Sequence, residues 1–190
     1  ANVSAEQPQF AHEYKAIAAL HDPAIVEIYD YGMHDGRDYL AMEYFPCGDL
    51  KQRLLQPMDC GTAVNYVRRI AGALQVVHGA GMLHRDLKPP NIMLRSGGAT
   101  VLIDFGLARQ EHAGQTTTMA ATAAGSVLGT VGYMAPEQAS GGSIDARSDL
   151  WAVGVLLFEL LSGRLPFRGR SASAIFAEIL DPSALPLEFP

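Results

Sequence analysis

Two short stretches fix most of what this chain can become: His84-Arg85-Asp86-Leu87-Lys88-Pro89-Pro90-Asn91 and, 13 residues beyond Asn91, the Asp104-Phe105-Gly106 triplet. They carry two carboxylates, an amide and an ammonium among apolar runs. Residues 82–87, 91–95 and 100–103 read as short strands, the last two joined by Ser96-Gly97-Gly98, so the polar groups sit on loops anchored by strands. The residue types suit phosphoryl transfer, whose loose transition state mainly needs aligned reactants and neutralised charge. One carboxylate can orient and deprotonate a hydroxyl. An amide and a second carboxylate offer hard oxygen ligands to magnesium, and the lysine can hold a transferring phosphate. A lone His-Arg-Asp is usually an exposed turn and a lone Asp-Phe-Gly the end of a strand, but their order and spacing favour the chemical reading.

Around that centre the apolar spacing switches between helix and strand signals. Phe10, Tyr14, Ile17 and Leu20 recur at helical spacing ahead of Pro23, which gives a helix over 10–20. Residues 25–33 and 37–45 are β-rich and flank His34-Asp35-Gly36, a hairpin signal. Gly48 and Asp49 begin a short amphipathic turn through Leu55. Val64, Val67, Ile70, Ala71, Leu74 and Val77 mark one face of a long helix over 61–80, closed by Gly81. Residues 172–180 repeat a shorter helical pattern. The stretch 110–130, rich in Ala, Thr and Gly, has no sustained period and reads as loop. Strands early and helices from Asp49 onward make the expected fold class α+β.

With 190 residues and 48% hydrophobic side chains, the chain can bury one core or build two small lobes sharing a cleft. A net charge of -6 and a pI near 5.4 argue against a nucleic-acid partner, whose phosphates demand clustered Lys and Arg. Cys47 and Cys60 lack the spacing of a zinc site or a disulfide framework and read as two reduced, structural thiols. The longest apolar run, 150–158, is about half of what a membrane-spanning helix needs. A cytoplasmic location is expected, with membrane attachment left to regions outside these residues.

Taken in order, these motifs resemble the eukaryotic-type protein kinase family, and most of all its bacterial Ser/Thr branch. Asp86 is similar to the family's catalytic base, Lys88 to the lysine that contacts the γ-phosphate, and Asn91 and Asp104 to the two magnesium ligands. Gly129-Thr130-Val131-Gly132-Tyr133-Met134-Ala135-Pro136-Glu137, ending 33 residues past Asp104, resembles the close of the activation loop. Thr130 then matches the threonine that contacts the catalytic aspartate and lysine. Asp149-Leu150-Trp151-Ala152-Val153-Gly154 resembles the start of the central buried helix. Leu40-Ala41-Met42-Glu43-Tyr44-Phe45 resembles the hinge, with Met42 as gatekeeper, the backbone of Glu43 and Phe45 facing adenine, and Met93 packing under the purine. His84 and Phe105 look like members of the internal hydrophobic spine. Arg85 is similar to the receptor for an activation-loop phosphate, for which Thr116, Thr117, Thr118, Thr122 and Ser126 are candidates. The resemblance implies ATP and Mg2+ as cofactors and self-association for trans-autophosphorylation. The wording Lys88-Pro89-Pro90-Asn91 and the Ala135-Pro136-Glu137 segment imply a protein substrate presenting Ser or Thr.

Two family features have no counterpart in these residues: the Gly-x-Gly-x-x-Gly loop and the strand lysine. Glu13 resembles the glutamate that pairs with that lysine, yet the lysines are Lys15, Lys51 and Lys88. The family's last helices, with the arginine that would pair with Glu137, are also absent from the sequence. The implied organisation is a partial N-lobe and hinge over 1–45, one helix plus a β-hairpin, and a mainly helical C-lobe over 46–190, truncated at its C-terminal end. As a fragment of a longer kinase, the isolated chain is expected to transfer phosphate poorly. The alternative is a pseudokinase or nucleotide-binding scaffold without catalysis. Such a protein would be expected to let Asp86, Asn91 or Asp104 drift, and each keeps its catalytic identity.

Overall fold

The computed structural model describes residues 14–35, 37–105, 130–181 and 183. Residues 14–18 are helical, the described part of the expected first helix, and Ile17 points into the core. The Asp22 carboxylate accepts from Ala24 N at 2.8 Å and turns the chain there. Strands β1 (Ile28–His34) and β2 (Arg37–Met42) form an antiparallel hairpin in the register Tyr31 opposite Leu40 and His34 opposite Arg37. Asp35 takes a left-handed φ of 49°, which a short polar side chain tolerates in a tight turn.

Both strands are shorter than the apolar runs that suggested them. Residues 24–26 leave the hairpin because their backbone is engaged elsewhere. Leu102 N donates to Ala24 O at 2.9 Å, Val26 N donates to Leu102 O at 3.1 Å, and Ile25 bridges Leu102 in parallel. At the other end Glu43 N still reaches Glu27 O at 3.0 Å, after which the chain leaves the sheet.

Asp49 caps a short 3-10 turn, Leu50–Arg53, by accepting from Gln52 N at 3.0 Å, and Leu50 is fully buried. Helix α1 (Cys60–Gly79) is capped by Asp59, which accepts from Thr62 N at 3.0 Å. It ends where Gly81, at φ 74°, donates to His78 O. Its buried face is Ala63, Ile70, Ala73, Leu74 and Val77. The expected face included Val64, which is 50% exposed, because it follows Ala63, the buried residue of that turn, by about 100° around the helix. Cys60 opens this helix in an exposed position and Cys47 is half-buried; both are free thiols, and neither is a core residue.

Two three-residue strands, β3 (Ile92–Leu94) and β4 (Thr100–Leu102), pair antiparallel beside α1, joined through Gly97 and Gly98 at φ 81° and 77°. The expected strand over 82–87 does not form. The His84 and Arg85 amides and the Arg85 and Asp86 carbonyls are bonded to side chains instead of a ladder. After α2 (Pro136–Ser140), helix α3 (Ala146–Ser162) runs through the core with Ala152, Val153, Val155, Leu156, Phe158 and Leu160 buried, and α1 packs along it. Helix α4 (Ala172–Leu180), capped by Ser171, covers α2. The whole is α+β, as expected. Among the described residues no helix is long and apolar enough to cross a membrane.

Candidate active site

The turn at Pro89–Asn91 determines the local geometry. Two prolines fix φ, and Asn91 N donates to Lys88 O at 2.9 Å, so Lys88 and Asn91 both face back toward Asp86. Lys88 Nζ lies 2.7 Å from Asp86 Oδ2, and the Asn91 amide donates to the same oxygen at 3.1 Å and to Asp86 O at 2.9 Å. Lys88 Nζ also donates to Thr130 Oγ1 at 3.2 Å. Three residues of one turn and a fourth 42 positions beyond Lys88 thus form one hydrogen-bonded cluster. Asp86 and Lys88 keep 19% and 20% of their side-chain surface, enough for a reactant to reach them, whereas Asn91 is buried.

Asp104 enters beside this cluster, because Ile103 N donates to Asn91 O at 3.0 Å. It is exposed and adopts a left-handed φ of 51°. Its side chain borders a small cavity with Tyr14, Ile17, Val26, Ile28, Leu40, Met42 and Phe105. Of the proposed adenine contacts, Met42 lines this cavity and Glu43, Phe45 and Met93 do not. Phe45 is buried in the core and Met93, half-buried, bridges Asp49. Among the described residues the Glu43 carbonyl and the Phe45 N–H have no hydrogen-bond partner. Glu13 and the activation-loop candidates Thr116, Thr117, Thr118, Thr122 and Ser126 lie outside the described residues. Lys15 is exposed.

The loop that carries Asp86 is held from behind by a residue that the sequence marks only as part of a helix start. Asp149, in the first turn of α3, is 2% exposed. Its Oδ2 meets His78 Nε2 at 2.7 Å and His84 N at 2.9 Å, and its Oδ1 accepts from Arg85 N at 2.8 Å. Gln138 adds a second brace: its amide donates to Arg85 O at 3.0 Å and accepts from Ala135 N at 2.9 Å. These bonds account for the missing strand over 82–87. They also hold Arg85 at φ 63°, a conformation that costs a branched or long side chain energy unless its surroundings enforce it. An acid at the start of an apolar helix was the available signal, since buried carboxylates need donors.

Thr130 is fixed from the same helix. The Tyr133 hydroxyl donates to Glu159, and burial, reinforced by the Glu159 charge, holds the Tyr133 phenol far above its ordinary pKa. Burial likewise raises the Glu159 carboxyl. Glu137, expected to lack an arginine, accepts from the Ser148 hydroxyl.

His84 is wholly buried, with its ring 4.8 Å from the ring of Phe105. Burial lowers its pKa below 6.5, so the folded protein keeps the ring neutral. The unfolded chain takes up a proton below that pH and the folded one does not. Stability is therefore retained above about pH 6.5 and lost as pH falls below it, with a limiting slope of about 1.4 kcal/mol per pH unit for one proton. Urea unfolding at pH 7 and pH 5 should show this loss in the natural protein and a smaller one in His84→Phe. Equal losses would count against a neutral buried ring.

Comparison with known proteins gives the site its context. A family model described as protein kinase domain matches residues 1–188. The chain is 40% identical over 175 residues to the serine/threonine-protein kinase PknL of Mycobacterium tuberculosis, covering 91% of this chain and 43% of PknL. It is 42% identical over 171 residues to the serine/threonine-protein kinase pkn3 of Myxococcus xanthus, covering 86% of the chain and 31% of that protein. Similarity to the serine/threonine-protein kinase PrkC of Bacillus subtilis is 40% over 169 residues, or 88% of the chain and 25% of PrkC. The chain therefore spans less than half the length of each of these relatives. The Asp86 cluster and its brace lie inside the matched region, and on that breadth of agreement the chain belongs to the protein kinase domain family.

Proposed function

We propose that this chain is catalytic-domain sequence of a bacterial Ser/Thr protein kinase, transferring the γ-phosphate of ATP to protein hydroxyls. The observation that carries this reading is the single carboxylate of Asp86 shared by Lys88 and Asn91, with Thr130 bonded to the same lysine. In this reading Asp86 orients the acceptor hydroxyl and takes its proton, while Lys88 neutralises charge developing on the transferred group. Thr130 keeps Lys88 from collapsing wholly onto Asp86. The exposed Asp104 carboxylate and the end of the Asn91 amide turned away from Asp86 would hold Mg2+. Such a sparse donor set suits a small ion that keeps water and phosphate oxygens as its other ligands. When bound, the ion supplies charge neutralisation between the phosphates. Met42 shapes the back of the nucleotide site, the Glu43 carbonyl and Phe45 N–H meet the adenine edge, and Met93 packs beneath it.

Residues 1–45 would then belong to the smaller lobe and hinge and 46–190 to the larger lobe. The parent protein would act in the cytoplasm, with any membrane anchor supplied elsewhere, and would self-associate for trans-autophosphorylation. The test is phosphoamino-acid analysis after incubating the full-length protein with labelled ATP, Mg2+ and a mixed protein substrate. Phosphoserine and phosphothreonine are expected. Label only on tyrosine, or none with a folded protein, would overturn the proposal.

A further inference from the structure

A second contact between distant segments lies directly behind the proposed adenine edge. Arg95 Nε donates to Glu43 Oε1 at 2.7 Å, its Nη2 pairs with Glu43 Oε2, and its Nη1 donates to the Pro23 carbonyl. The guanidinium also lies 5.9 Å from the centre of the Phe45 ring. Arg95 is itself pinned, since its N–H donates to Ala99 O at 2.9 Å and its carbonyl accepts from Gly98 N at 3.0 Å. Glu43 and Arg95 keep 20% and 32% of their side-chain surface, so the pair is partly shielded from water. The Glu43 carboxylate beside it raises the Arg95 pKa further.

The backbone these contacts hold has few restraints of its own. Past Met42 the chain has left the sheet, and between Glu43 N and Phe45 O no backbone group among the described residues is paired. A free three-residue segment samples many orientations, and ordering it on binding weakens a ligand.

We propose that Arg95 is a positioning residue for nucleotide binding. By gripping Glu43 with its fork, resting on Phe45 and holding Pro23, it presets the Glu43 carbonyl and Phe45 N–H as an acceptor and donor pair for the edge of an adenine-type base. The inference rests on the hinge reading given above. Only a guanidinium can serve all these partners at once, because an ammonium is a point charge without the planar fork.

The experiment uses the full-length kinase and titrates ATP by fluorescent-nucleotide displacement, alongside KM for a protein substrate and the thermal midpoint. Arg95→Met and Arg95→Lys should each weaken ATP by about fivefold to tenfold, the range expected when one coupled contact is lost. KM for the protein substrate should stay within about twofold. Adding Glu43→Gln to Arg95→Met should weaken ATP no further, because both changes break the same pair. Arg95→Lys keeps the charge and the aliphatic stem, so it remains informative if the methionine variant folds poorly. Unchanged or tighter ATP binding in Arg95→Lys would overturn the proposal, and so would a parallel loss for both substrates that tracks the thermal midpoint. Met42→Trp separates this outcome from failure of the hinge reading. If it weakens ATP while the Arg95 variants do not, only the Arg95 role falls; if it too leaves ATP unaffected, the hinge reading fails.

Discussion

Asp86→Asn should reduce kcat for protein phosphorylation by about 10³-fold or more while ATP still binds. The carboxylate has two tasks in this site. Among the described residues it is the acid bonded to both Lys88 and Asn91, and in the proposed mechanism it accepts the proton of the incoming hydroxyl. Loss of general-base action alone costs about 10²- to 10⁴-fold. An amide of the same size also turns an N–H toward Lys88 or Asn91, disturbing the alignment of both. Steady-state transfer with saturating ATP gives kcat, and nucleotide titration reports binding separately. A variant that keeps more than about a tenth of the natural kcat would remove Asp86 from the chemistry and, with it, the proposed mechanism.

Asp149→Ala is the second large effect, on stability as well as rate. The side chain satisfies His84 N, Arg85 N and the His78 ring from a position almost without solvent. Truncation leaves the buried His84 amide and the half-buried Arg85 amide unpaired and creates a void beneath them. Removing one member of such a buried network costs about 3–5 kcal/mol. Arg85 would relax from its left-handed φ and carry Asp86 with it, so kcat should fall by at least about tenfold even in the fraction that folds. Urea midpoints and kcat of the folded protein measure the two losses independently. Asp149→Asn, which retains one acceptor oxygen, should be intermediate in both. Natural stability in Asp149→Ala would mean that the catalytic loop holds its shape without this carboxylate.

What could be read from the sequence follows the range of the forces involved. Helices α1 and α4 and the hairpin were legible because apolar period and turn chemistry act over a few residues, whereas α3 was reached only through the family resemblance of Asp149–Gly154. Asp86, Lys88 and Asn91 were legible because one proline-stiffened turn places all three. Pairings between distant residues were not. Arg95 and Glu43 are 52 positions apart, and His84 and Asp149 are 65 apart, with no local pattern joining either pair. The false strand over 82–87 has the same origin: its apolar side chains suit a sheet, but a distant carboxylate supplies its acceptors. Residues 25 and 26 were assigned to the wrong partner for a similar reason, since alternation shows that a segment is extended and does not show which neighbour it joins.

The backbone bonds between Leu102 and residues 24 and 26 have a mechanical consequence. Together with the chain passing through Glu43, they attach the hairpin to the rest of the fold at two points, one through strand β4 and one through the chain itself. A body pinned at two points swings most easily about the line through both. Opening of the proposed nucleotide cleft should therefore be a rocking motion, largest at the Asp35 tip and smallest beside Met42, so the floor of the pocket keeps its shape while its mouth widens.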